Sequence, residues 1–305
     1  MSPLRFRPGA PFKIVQFTDT HFSHPRPRDA RTQALMAHVL DVERPDLVAL
    51  TGDIVSGYET PDAAAAWRVA VAPIVARGLP WAAVFGNHDD EGALDRAQLL
   101  EVQRSCPGCL TEAGPDDIGG LGNYVLPVAG RDGAPAALLY FLDSGSYSTT
   151  GAGQYAWFRH EQVAWYRRTS REWAQGREAP LPALAFFHIP LPEYETAWRE
   201  GYDKSGSHHE PVCAPVINSG MFAAFHECGD VLGTFVGHDH VNDFEATLHG
   251  IRCCYGRATG YGAYGRRGYP RGARVIELRE GDRTFRTWSC LAPAPSGGLS
   301  PSARP

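Results

Sequence analysis

Trp81-Ala82-Ala83-Val84-Phe85-Gly86-Asn87-His88-Asp89 decides the fold class. Its first five residues are apolar or small and read as a fully buried strand of an α/β protein. Gly86 then turns the chain, which presents an amide, an imidazole and a carboxylate in succession. Asn and His are poor strand residues, so something other than packing accounts for them. Polar groups at the carboxyl end of a buried strand are where open α/β sheets place their ligand sites.

Four further apolar runs finish in the same way. The run at 13–19 leads into Asp19-Thr20-His21, and that at 46–50 into Thr51-Gly52-Asp53. The run at 183–187 ends in His188, and that at 231–236 in Gly237-His238-Asp239-His240. Helical spacing of apolar residues predicts helices over 30–43, 61–76, 90–104, 161–174 and 218–227. Strands are also expected at 123–126, 137–142, 244–248, 274–278 and 284–289. Residues 195–215 and 255–272 lack a pattern and read as loops. The Pro/Ser/Gly-rich stretch 293–305 reads as a disordered tail, leaving 1–292 as one domain.

A single strand ending in Gly-Asp or in His is ordinary turn chemistry. Five such endings on core strands exceed what turns explain. Mixed imidazole and carboxylate donors suit divalent Mn, Fe, Zn or Ni rather than calcium, which prefers oxygen alone. A bridging carboxylate can hold two such ions roughly 3.5–4 Å apart, acidify a shared water and clamp both oxygens of an in-line displacement at phosphorus. Few carboxylates balance two dications here, so the site favours an anionic phosphate ester. The spacing alone does not separate His88 from the ligands.

In chain order, Asp19-x-His21, Gly52-Asp53, Gly86-Asn87-His88-Asp89, His188 and Gly237-His238-Asp239-His240 resemble the blocks of the calcineurin-like metallophosphoesterase superfamily. The resemblance implies a four-layer α/β/β/α sandwich of two mixed β-sheets flanked by helices. It also implies one metal held by Asp19, His21, Asp53 and His240, and a second by Asp53, Asn87, His188 and His238, with Asp53 bridging. By the same resemblance a metal-bridging hydroxide attacks phosphorus. His88 faces the substrate, stabilising phosphoryl oxygens or assisting the leaving group. Asp89 and Asp90 would orient His88 or cap the helix expected to begin there, with capping the better reading.

A narrower resemblance, carried by residues 86–91, 187–191, 237–243 and 261–265, is to the purple-acid-phosphatase-like subgroup often labelled "inactive purple acid phosphatase". The purple enzymes place a Tyr three residues after the bridging Asp, where this chain has Ser56, and they lack the His of Asp-x-His, present here as His21. That implies an ordinary His-containing first site without purple colour. No ligand of the superfamily set is missing. Tyr58, Lys204, Arg257, Tyr261 and Tyr264, with His208 and His209, lie in loop stretches expected to line the mouth.

Composition narrows the partners. The 305-residue chain has a net charge of -5 and no basic stripe, which argues against a nucleic-acid backbone as substrate. A phosphorylated small molecule is the expected partner. A cyclic-nucleotide phosphodiesterase or nuclease is the enzymatic alternative, and a non-catalytic metal-binding scaffold the alternative of another class. The seven cysteines show no secreted disulfide framework, and Cys106-Pro107-Gly108-Cys109 stands alone as a C-x-x-C. With no signal-peptide pattern and no 18-residue apolar run, a cytoplasmic protein without membrane spans is expected.

Overall fold

The computed structural model describes residues 4–293. The expected tail at 293–305 therefore lies, apart from Pro293, outside the described residues. Two mixed sheets face each other. The first has five strands in the order β12-β11-β1-β2-β3, formed by β1 (Phe12–Phe17), β2 (Leu47–Thr51), β3 (Trp81–Val84), β11 (Gly272–Leu278) and β12 (Phe285–Leu291). The second has seven in the order β4-β5-β6-β8-β10-β9-β7. These are β4 (Tyr124–Ala129), β5 (Pro135–Phe141), β6 (Ala183–Phe186), β7 (Tyr202–Ser205), β8 (Val231–Val236), β9 (Glu245–Leu248) and β10 (Ile251–Tyr255).

Strand alternation sorts the side chains into layers. Phe12 and Ile14 of β1 point between the sheets, where they join Leu47, Ala82, Leu139, Phe186 and Phe235. Val15 and Phe17 point outward and pack under α1 (Pro27–Glu43) and α2 (Ala63–Val75). The outer face of the second sheet is covered by α4 (His160–Ala174), α5 (Glu193–Glu200) and α6 (Met221–Cys228). The result is the expected α/β/β/α sandwich.

Parallel pairing sends β1, β2 and β3 in one direction in the first sheet. It does the same for β5, β6, β8 and β10 in the second. The carboxyl ends of β1, β2, β3, β6 and β8 carry all five polar endings. Gln16 ties the sheets together near these ends, its Nε2 donating to Thr51 Oγ1 at 2.8 Å and to Val236 O at 3.0 Å.

Several element boundaries differ from the sequence reading. The stretch 195–215 is not all loop, since it contains most of α5 and all of β7. The strand β10 also goes unread in the sequence. The helix expected from residue 90 begins only at Arg96, as α3 (Arg96–Arg104), because Asp95 is its cap: Asp95 Oδ1 accepts from Gln98 N at 2.8 Å. Residues 88–95 are instead an irregular segment beside the strand tips.

Candidate metal centre

The tips of the two sheets converge on one buried cluster. Asp19, His21, Asp53 and His240 place a ligand atom each within 4.8 Å of one another, and Asp53, His188 and His238 do the same. Asp53 belongs to both groups. Its Oδ2 lies 3.2 Å from His188 Nε2 and 3.7 Å from His21 Nε2, while Oδ1 accepts from His88 N at 2.8 Å. Asp19 Oδ1 lies 3.3 Å from His240 Nε2 and accepts from His238 N at 3.0 Å. All six of these side chains are buried.

The backbone at these tips is bent into a conformation that side chains disfavour. Asp19, His21, Asp53 and His238 have φ of 52°, 47°, 51° and 80°. Left-handed non-glycine residues cost of order 1–2 kcal/mol each and persist where the surroundings over-determine them. Asp89 supplies one such constraint. It does not cap a helix: its Oδ1 accepts from Ile54 N (2.8 Å) and Val55 N (3.0 Å), and its Oδ2 from Gly86 N (2.7 Å) and Asp53 N (3.0 Å). The Asp53 turn is thereby welded to the Gly86 turn. Gly86 itself leaves no room for a side chain, because a Cβ there would overlap the Asp53 carboxylate.

The donor set fits a pair of cations. Two imidazole nitrogens face each other twice, His21 Nε2 and His240 Nε2 at 3.2 Å, and His238 Nδ1 and His188 Nε2 at 3.3 Å. The opposite nitrogens of three rings are occupied. His188 Nδ1 donates to Thr51 O at 2.8 Å, His240 Nδ1 donates to Tyr264 O at 3.2 Å, and His21 Nδ1 meets Ser56 Oγ at 3.1 Å. Such outer bonds aim the remaining lone pair inward, as in metal sites generally. Among the described residues, Asn87 Oδ1 and His238 Nε2 are buried without a hydrogen-bond partner. A buried polar atom without a partner is costly, and a cation beside Asn87 Oδ1 would satisfy it.

Electrostatics agree with the geometry. Burial pushes the His21 imidazole down to about 3, and burial together with His188 does the same to His238. Both rings are therefore neutral, with free lone pairs. Burial alone would raise Asp19, yet the neighbouring His240 and His188 hold it at about 2. His188 differs: burial would lower it, but the Asp53 carboxylate overrides this and raises it to about 9, so its Nε2 shares a proton with Asp53 that a cation would have to displace. Asp53 is held well below the carboxylate range against the cost of burial, chiefly by His188.

His88 stands apart at the mouth, half-buried, its ring 5.5 Å from that of His21. Of the residues expected to line the mouth, Tyr58 and Tyr264 are there. The Tyr58 ring lies 5.8 Å from His88, and Tyr264 stacks on His240 at 4.2 Å. The other five are engaged elsewhere, His209 edge-on against the Tyr269 ring at 5.2 Å. Arg257 is buried, paired with Asp243 Oδ2 at 2.6 Å, and stacks on Tyr269. Tyr261 packs under Arg31 of α1, and Lys204 on the edge strand β7 donates to Trp198 O and Arg199 O. His208 lies flat on Trp198. The sequence reading missed Tyr147, Tyr155 and Glu91, which surround the site: Tyr155 meets the His238 ring edge-on at 4.5 Å. For the two tyrosines the available signal was the aromatic-containing loop that follows β5 and Asp143.

Among the described residues, no helix is long and apolar enough to cross a membrane. The chain is 35% identical to "Probable inactive purple acid phosphatase 14" of Arabidopsis thaliana, over 94% of this chain and 80% of that protein. It is also 35% identical to "Phosphatase DCR2" of Saccharomyces cerevisiae, over 93% of this chain but only 54% of the longer yeast protein. In three dimensions it resembles a dimetal phosphatase from Danio rerio with a TM-score of 0.62 at 14% identity, covering 92% of this chain and 99% of that one. Residues 12–242, which run from the first strand past the last of the polar tips, match the sequence pattern of the calcineurin-like phosphoesterases, and the chain belongs to that family.

Proposed function

We propose that this chain is a phosphoesterase that works with two divalent transition-metal ions. The observation that carries the reading is the Asp53 carboxylate shared by two buried ligand groups, next to the unpartnered Oδ1 of Asn87. Asp19, His21, Asp53 and His240 would hold one ion, and Asp53, Asn87, His188 and His238 the other. Such a pair, when bound, supplies an activated water and neutralises charge on a phosphate ester.

The protein's own part is positional. Two carboxylates against two dications leave a positive pocket that draws an anionic ester. Water adds to phosphorus as the ester P–O bond breaks; His88 Nε2, which has no partner among the described residues, takes up the proton that the water loses and hands it to the departing alkoxide. Tyr58 and Tyr264 flank the entrance as contacts for the rest of the substrate. The seven unpaired cysteines support a reducing, cytoplasmic setting.

A phosphomonoester or small phosphodiester is the favoured substrate. The names of the Arabidopsis relatives favour a second reading, a metal-binding scaffold without turnover. The test is to strip the protein, reload it separately with Mn, Fe, Zn and Ni, and assay mono- and bis-nitrophenyl phosphate beside a phosphoester panel. We expect hydrolysis in wild type, metal without most turnover in His88→Ala, and loss of metal in Asp53→Ala. Two bound ions with no hydrolysis of any ester would establish the scaffold instead.

A further inference from the structure

We infer that Glu91 is a positioning residue for both sides of this centre, holding His88 directly and Asn87 through Tyr147. The inference rests on the phosphoesterase reading above and concerns residues which that reading does not use. Glu91 divides its two oxygens. Oε2 lies 2.5 Å from His88 Nδ1, and Oε1 accepts from the Tyr147 hydroxyl at 2.9 Å. The same hydroxyl oxygen accepts from Asn87 Nδ2 at 3.0 Å.

Two orientations follow. A carboxylate at Nδ1 keeps a proton there, so Nε2 is the nitrogen left to meet a substrate. With its NH₂ group spent on Tyr147, Asn87 must turn Oδ1 the other way, into the buried position where it has no partner among the described residues. The surroundings restrict further motion. Tyr147 lies edge-on to the His88 ring at 6.3 Å, and Gly57 N donates to His88 O at 2.9 Å, pinning the segment that carries Glu91.

The plainer alternative is a surface ion pair three residues apart. The His88 and Glu91 side chains are 30% and 26% exposed, and such pairs contribute little by themselves. What a surface pair does not explain is the second prong, which runs through Tyr147 to a buried amide.

The test uses full-length, metal-loaded Glu91→Ala, Glu91→Gln and Tyr147→Phe, with His88→Ala as reference. Metal affinity is measured by titration of stripped protein. Turnover is compared for 4-nitrophenyl phosphate and an alkyl phosphate, whose leaving group needs the proton far more. Ring ¹⁵N spectra of the metal-free protein report which His88 nitrogen carries hydrogen. We expect Glu91→Ala to lose about 10–100-fold on the alkyl ester and much less on the nitrophenyl ester, matching the bias of His88→Ala. Its His88 should also lose the pure Nδ1–H form. Glu91→Gln should restore the link to Tyr147 and wild-type metal affinity without restoring the alkyl ester.

For Tyr147→Phe we expect metal affinity to weaken by about tenfold, with the ratio of the two esters close to wild type. Glu91→Ala with the wild-type ester ratio, ring tautomer and metal affinity, beside a defective His88→Ala, would overturn the inference and leave the phosphoesterase reading intact. Failure of the loaded wild type on both esters would instead overturn that reading. In that event the tautomer and the metal affinities still decide the role of Glu91.

Discussion

Asp89 shows how one carboxylate can shape a candidate metal centre without belonging to its donor set. Its four backbone bonds hold the two turns that carry Asp53 and Asn87. Asp89→Ala would leave four buried N–H groups without partners, so we expect a loss of ~3–5 kcal/mol in stability. Urea unfolding checks this, and metal content should fall with it. The metal-type residues themselves were legible in the sequence, because an Asn or His at the tip of an apolar strand has no packing reason to be there. The roles of Asp89 and Glu91 were not. Both sit in an acidic run that also suits a helix cap, and only the three-dimensional course of residues 88–95 gives them other partners. Arg257 errs the other way: its sequence neighbourhood suggests a phosphate fork, but Asp243 already holds it.

Between elements, the buried carboxylate of Asp230 at the amino end of β8 docks α4 on the second sheet. It accepts from Tyr140 of β5 at 2.9 Å and Ser170 of α4 at 2.8 Å, and also from the Tyr166 hydroxyl. This end of the sheet is remote from the polar tips. Asp230→Ala should therefore lower stability by about 3 kcal/mol through three stranded hydroxyls, while metal content per folded chain stays at the wild-type level. Chemical unfolding beside elemental analysis checks both halves. The buried strands and amphipathic helices could be read from their periodicity, and each strand that ends in one of the five polar tips was. The edge strand β7, Tyr-Asp-Lys-Ser, is exposed along its whole length and has no apolar alternation to announce it. The strand β10 is separated from β9 by only two residues, so the sequence signal of one merges with the other.

For the chain taken together, the metal pair should be a large part of stability. The cluster gathers two charged carboxylates, four imidazoles and four strained backbone positions in a buried place, an arrangement that costs free energy until ions occupy it. A ligand that binds only the folded state at a hundred times its dissociation constant adds about 2.7 kcal/mol. Chelation should accordingly lower the melting temperature by at least several degrees, and Mn or Zn should restore it. Calorimetry of stripped and reloaded protein checks this. The overall architecture was legible because the superfamily blocks fall at five strand tips in the right order. The mouth was not, since its walls come from long loops whose partners lie far away in sequence.

The shared carboxylate is most directly tested by anomalous diffraction from crystals of the full chain soaked in Mn. Two peaks roughly 3.5–4 Å apart, one on each side of Asp53 and both within bonding distance of its carboxylate, are the predicted result. A single ion, or ions bound only outside the cluster, would contradict it.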